Sequence, residues 1–67
     1  MQILTVVDNE ITWDGKTYDY QGFEKVDTMM VHVIMSDGYY AFIGGDTEIN
    51  GVVQTDADQI ISALPPL

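Results

Sequence analysis

Two Asp-Gly pairs constrain this chain more than any other feature: Asp14-Gly15 and Asp37-Gly38 each stand between runs in which apolar and polar residues alternate. A two-residue type I′ turn needs positive φ at both central positions, and its twist matches that of the flanking strands. Asp-Gly meets that demand, so each pair predicts a β-hairpin and fixes its register. Around Asp14-Gly15, Trp13 falls opposite Lys16, Thr12 opposite Thr17 and Ile11 opposite Tyr18. Opposed residues share a face. One face then carries Ile11, Trp13, Tyr18 and Tyr20, and the other carries Glu10, Thr12, Asp14, Thr17 and Asp19. Such alternation belongs to a hairpin buried on one side only.

The second hairpin runs from Thr28 to Ser36, through Asp37-Gly38, and back from Tyr39 to Gly44. A two-residue turn sets Met35 opposite Tyr40, Val33 opposite Phe42 and Val31 opposite Gly44. Met29, Val31, Val33, Met35, Tyr40 and Phe42 then make one apolar face, the expected core, with Val33 and Phe42 as its central members. The reverse face carries Met30, His32, Ile34, Ser36, Tyr39, Ala41 and Ile43. It is too apolar to stand bare in water. A partner, a second copy or the C-terminal helix is expected to cover it, with Met30, His32, Ile34, Tyr39 and Ile43 as contact residues.

Residues 2–7 read as a preceding strand, with Asp8-Asn9 as its turn. Residues 47–53 read as a short final strand, weakened by Asn50-Gly51. Residues 55–64 read as a helix. Thr55 suits the N-cap and Asp58 approximates the other half of a capping box. Ala57, Ile60, Ile61 and Leu64 fall on one stripe, and Pro65-Pro66 ends the element. The expected fold is α+β, mostly β: an antiparallel sheet of five or six strands built from hairpins, with one short C-terminal helix, all within a single domain spanning 1–67.

Charge bounds the function. The chain holds 11 acidic residues against two lysines, a net charge of −9. Nothing here neutralises phosphates, which excludes ordinary nucleic-acid binding, and an anionic membrane surface is disfavoured. A basic protein partner, reached by electrostatic steering, is favoured. Solubility alone is the competing explanation, but a solvated surface normally mixes both signs. By strand parity, Asp8, Glu10, Asp14 and Asp19 share the outer face of the first hairpin. Carboxylates two residues apart on a strand stand ~6.6 Å apart at ~3.3 Å per residue. That is of the order of the spacing of successive phosphates along a nucleic-acid strand.

Catalysis and metal chemistry find little support. A single histidine and no cysteine leave few nucleophile–base pairs, and neither Ser36 nor Ser62 has a reason to meet His32. His32 reads as a packed or interface histidine. Asp46-x-Glu48-x-Asn50-Gly51 opens like a calcium loop, but the twelfth position, where a bidentate acid belongs, is Ala57. No enzyme activity, metal or cofactor is expected. The first residues lack the basic start and apolar core of a signal peptide, and no apolar run approaches the ~20 residues of a membrane span. A cytoplasmic location is expected.

Asp14-Gly-Lys-Thr-Tyr18, then Val31-His-Val-Ile34, a second hairpin and a short helix resemble the layout of small acidic proteins encoded by phages and other mobile elements. That resemblance implies one of two roles. One is an inhibitor of the anti-CRISPR or DNA-mimic type, which works in the bacterial host cell by presenting a carboxylate-rich surface to a nucleic-acid-binding protein. The other is a structural or assembly protein of the virion or tail that packs through an apolar sheet face, as a homo-oligomer or on a neighbour. It carries over no catalytic residue.

Overall fold

The computed structural model describes residues 2–38 and 40–66, with positions 37 and 40–42 described by their backbone alone. Among the described residues seven strands form one sheet: β1 (Ile3–Val7), β2 (Glu10–Trp13), β3 (Lys16–Asp27), β4 (Met30–Met35), β5 (Tyr40–Gly44), β6 (Glu48–Ile49) and β7 (Val52–Val53). A single helix, α1 (Ala57–Ala63), follows. The spatial order is β5-β4-β3-β2-β1-β6-β7. The mostly-β fold with one short C-terminal helix is as expected, but the sheet has more strands than five or six and is mixed. β1 and β6 run parallel, with Ile3 beside Glu48 and Leu4 beside Ile49. β6 and β7 are two residues each, too short to show a period. Asn50-Gly51 between them does not weaken one strand but separates two: its φ values of 53° and 85° are both positive, as a type I′ turn requires.

The first hairpin has the expected register, with Ile11 opposite Tyr18, Thr12 opposite Thr17 and Trp13 opposite Lys16. β1 adds antiparallel on the other side of β2, setting Leu4 opposite Trp13 and Val6 opposite Ile11. β3 is shared. Its first half pairs with β2 and its second half with β4, and the register shifts between Tyr20 and Gly22 and again between Lys25 and Asp27. Bulges of this kind bend a strand and sharpen its twist. Gly22 supplies the first bend at φ 152°, a conformation that L side chains rarely adopt.

The second hairpin departs from expectation by one residue. Val31 pairs with Ile43, His32 with Phe42 and Val33 with Ala41. Ser36–Gly38 forms a turn of 3-10 helix, so the connection is longer than the two residues of a type I′ hairpin. A one-residue slip moves every side chain of the returning strand to the opposite face. Ile43, expected on the reverse face, is therefore a core residue with 0% exposure. Phe42 stands opposite His32 and not Val33. The side chains of Phe42 and Ala41, and the whole of Tyr39, lie outside the described residues. Val33 is buried as expected, whereas Met29 belongs to the β3–β4 turn and is exposed.

The core joins Leu4, Ile11, Val31, Val33, Met35, Ile43 and Ile49 of the sheet to Ala57, Ile60 and Leu64. α1 closes this face by packing against β3 and β4, and its first N–H donates to the Thr28 carbonyl at 2.9 Å. The helix is capped one residue later than expected. Asp56 Oδ1 accepts from the Gln59 N–H at 2.9 Å, and Gln59 Oε1 accepts from the Thr55 N–H at 2.9 Å. Gln59 thus fills the reciprocal place assigned to Asp58, which is left to face β3.

Candidate interaction surface

The sheet has one face against α1 and one face away from it. On the side away from the helix, strand parity places Ile3, Thr5 and Val7 of β1, Glu10 and Thr12 of β2, and Thr17 and Asp19 of β3. Registers align them in cross-strand rows. Thr5, Thr12 and Thr17 form one row, and Val7, Glu10 and Asp19 form the next. The hydroxyls of Thr12 and Thr17 are 3.0 Å apart. Glu10 and Asp19 are directly opposed, a placement that puts Cβ atoms about 4.5–5.5 Å apart and destabilises like charges.

The structure brings three of the four expected acids together. Asp8, Glu10, Asp14 and Asp19 are all exposed. The Asp8-Asn9 turn is held at the Glu10–Asp19 end, because the Asn9 carbonyl accepts from the Tyr20 N–H at 2.8 Å. Asp14 lies in the turn at the far end of β2, roughly 13 Å away at ~3.3 Å per residue. There it borders a shallow depression with Ile3, Thr5, Thr12 and Gly15. Glu48 joins the same face, flanked by Ile3 on β1 and Val53 on β7. Sequence parity misses Glu48, because its face is set by a parallel pairing with a strand more than 40 residues earlier.

The two lysines lie elsewhere. Lys16 registers opposite Trp13, in the row that continues to the buried Leu4. Lys25 registers opposite the buried Val31, and its Nζ is 3.1 Å from Asp58 Oδ1 on α1. Both basic side chains therefore belong to rows on the helix side of the sheet. The outer face offers acids, threonines and separate aliphatic side chains. The Lys25–Asp58 pair is well exposed and adds little stability.

The register slip changes which residues share the second expected surface. Met30, His32 and Ile34 register on the side away from α1, with His32 between Glu24 and Phe42. Met30 is exposed, His32 and Ile34 are half-buried, and Ile43 has gone to the core. The helix covers the opposite side, so it does not cover these residues.

Several other polar side chains have structural work. Ser36 Oγ accepts from the Asp19 N–H at 3.1 Å, and Ser62 Oγ donates to the Asp58 carbonyl at 3.0 Å. Asn50, which sat in the calcium-like motif, spends its amide on Val6. The Tyr20 hydroxyl is buried without a hydrogen-bond partner among the described residues, and burial raises its pKa above 10.0. Among the described residues no His, Asp and Glu side chains gather into a metal-holding group, and no helix is long and apolar enough to cross a membrane. Comparison with family models, curated proteins and solved structures finds no match.

Proposed function

We propose that this domain is an acidic protein-binding module, whose outer sheet face engages lysines and arginines of a basic partner. The observation that carries this is the segregation of charge across the sheet. Glu10, Asp19 and Glu48 face away from α1, while Lys16 and Lys25 register on the helix side. Like charges opposed across two strands cost stability. A cationic partner converts that cost into binding free energy and speeds encounter by steering. The resemblance to small phage-encoded acidic proteins gives the specific form: an inhibitor of the anti-CRISPR or DNA-mimic type, acting in a bacterial host cell on a nucleic-acid-binding protein.

The alternative is a structural or assembly role in a virion, with packing through the apolar side of β4. Met30, with its exposed side chain, supports it, while Ile43 belongs to the core and takes no part. Salt separates the two. The immobilised domain is challenged with a heparin-purified pool of nucleic-acid-binding proteins at low and high ionic strength. The inhibitor reading expects retention at low salt, release at high salt, and displacement by added DNA or RNA. Retention that ignores salt and nucleic acid supports apolar packing and overturns the inhibitor reading.

A further inference from the structure

One end of the sheet carries an apolar patch that neither the core nor the acid rows use. Val26, Met29 and Met30 lie in or beside the β3–β4 turn and are 52%, 51% and 38% exposed. Each is open for a local reason. Val26 is the extra residue of the bulge between Lys25 and Asp27. Met30 has Asp27 on one side and Gly44 on the other, and the glycine offers no side chain to cover it. Met29 sits in the turn, with its Cε over Gly45, where an added Cβ would come within 2.5 Å of it.

The rim of this patch is acidic. Asp27 adjoins Met30 across the strands, Asp46 Oδ1 lies 3.9 Å from the Cβ position of Gly44, and Glu24 stands on the same side of β3 as Asp27. The nearby cation, Lys25, is tied to Asp58 on the helix side. An apolar centre with an acid rim selects its occupant by charge. A second copy of this chain would bring an equal acid rim into contact, and like-charge juxtaposition opposes that. An anionic membrane is repelled in the same way.

We infer that the Val26–Met29–Met30 patch receives an apolar side chain of a basic amphipathic segment of the partner protein, with lysines or arginines of that segment reaching Glu24, Asp27 and Asp46. Unbranched, polarizable methionines suit such a site, because they repack around differently shaped anchors. The inference rests on the basic-partner reading above and adds a second contact. It lies at the opposite end of β3 from Asp19.

The test uses an amphipathic helical peptide of leucine and lysine as probe, with poly-lysine of equal length as control. The protein carries 13C-labelled methionine methyls. The expected result is a saturable shift of the Met29 and Met30 methyl signals with the leucine–lysine peptide and not with poly-lysine. Val26→Ser combined with Met30→Ser should weaken the peptide by roughly tenfold, the loss of one buried anchor. These side chains are exposed, so the fold should survive, and the far-ultraviolet circular dichroism checks that it does. Binding that is salt-sensitive but unmoved by Val26→Ser with Met30→Ser removes the patch and leaves the basic-partner reading standing. No binding of either cationic probe removes both. Concentration-dependent self-association lost in the same variant overturns the inference in favour of a second copy.

Discussion

The side-chain amide of Asn50 closes on both backbone polar groups of Val6: Oδ1 accepts from the Val6 N–H at 2.8 Å and Nδ2 donates to the Val6 carbonyl at 3.0 Å. The Asn50 N–H meanwhile donates to the Leu4 carbonyl at 3.0 Å. One residue thus extends the short β1–β6 ladder beyond the two registered pairs. It does so from a turn position with φ 53°. Asn50→Gly keeps that backbone conformation and deletes the amide. It should cost about 1–2 kcal/mol, the loss of two hydrogen bonds at a partly solvated site. Urea unfolding measures it. A variant as stable as wild type would show that the clamp does not hold β6 to β1.

The register of the second hairpin makes Ile43 a core residue beside Val31. Ile43→Ala should cost about 2–5 kcal/mol, the range for truncating a large aliphatic core side chain. In a domain this small that is a large share of the total stability. Met30→Ala, on the exposed side of the neighbouring strand, should stay within about 0.5 kcal/mol. The reverse ranking in thermal melts would return the hairpin to the register of a two-residue Asp37-Gly38 turn.

These two cases show what was legible in the chain. The Asp14-Gly15 hairpin was readable to the residue, because a two-residue turn leaves one register and Ile11, Trp13, Tyr18 and Tyr20 alternate cleanly. Asp37-Gly38 carries the same dipeptide, yet Ser36 joins it in a 3-10 turn, and nothing in the alternation of a strand apolar on both faces penalises a one-residue slip. The helix was readable from its apolar stripe. Its cap was displaced because Asp56 competes with Thr55 for the same role, and Gln59, three residues after Asp56, completes the later box. The parallel β1–β6 pairing was not readable, since two-residue strands have no period and the long-range partner leaves no local mark. Of the acid face, Glu10 and Asp19 were placed by parity and stand directly opposed, Asp14 lies in the turn at the other end of β2, and Glu48 was missed with its strand.

Gly45 is closed in on two sides. A Cβ there would meet the Thr55 carbonyl oxygen at 2.7 Å and Met29 Cε at 2.5 Å. The methionine end is able to swing away, but the Thr55 backbone leads into the α1 cap. Gly45→Ala should therefore destabilise by about 1–3 kcal/mol, as overpacking does, and loosen the helix. Amide hydrogen exchange over residues 55–60 reports this directly. Protection equal to wild type would mean that the β5–β6 loop does not brace the helix.

Tyr20 is expected to make the fold lose stability in alkali. Burial raises its pKa above the ordinary 10.0, so the folded state holds the proton more tightly than the unfolded chain. Its contribution is fully present below the unfolded pKa and is lost as pH rises through the folded pKa. Wild type should lose stability above about pH 10 faster than Tyr20→Phe. At neutral pH, Tyr20→Phe should be neutral or slightly stabilising, because the buried hydroxyl lacks a partner among the described residues. Equal alkaline slopes for the two proteins would refute the assignment.

The opposed carboxylates of Glu10 and Asp19 test the functional account from the stability side as well. Glu10→Gln with Asp19→Asn removes a like-charge pair across β2 and β3. It should stabilise the isolated domain by about 0.2–1 kcal/mol at low salt, with the gain shrinking as salt is added. A loss of stability would mean that these carboxylates serve the fold.

The most direct measurement of the central claim is the binding kinetics of wild type and the Glu10→Gln, Asp19→Asn variant. Both are measured against a nucleic-acid-binding protein retained from the heparin-purified pool, at two ionic strengths, with DNA or RNA as competitor. Steering by an acid face acts on the association rate and fades with salt. The variant should therefore associate more slowly than wild type at low salt, dissociate at a similar rate, and converge on wild type at high salt, while nucleic acid displaces both. An association rate unchanged by the double substitution, or nucleic acid and this protein bound to the partner together, would contradict it.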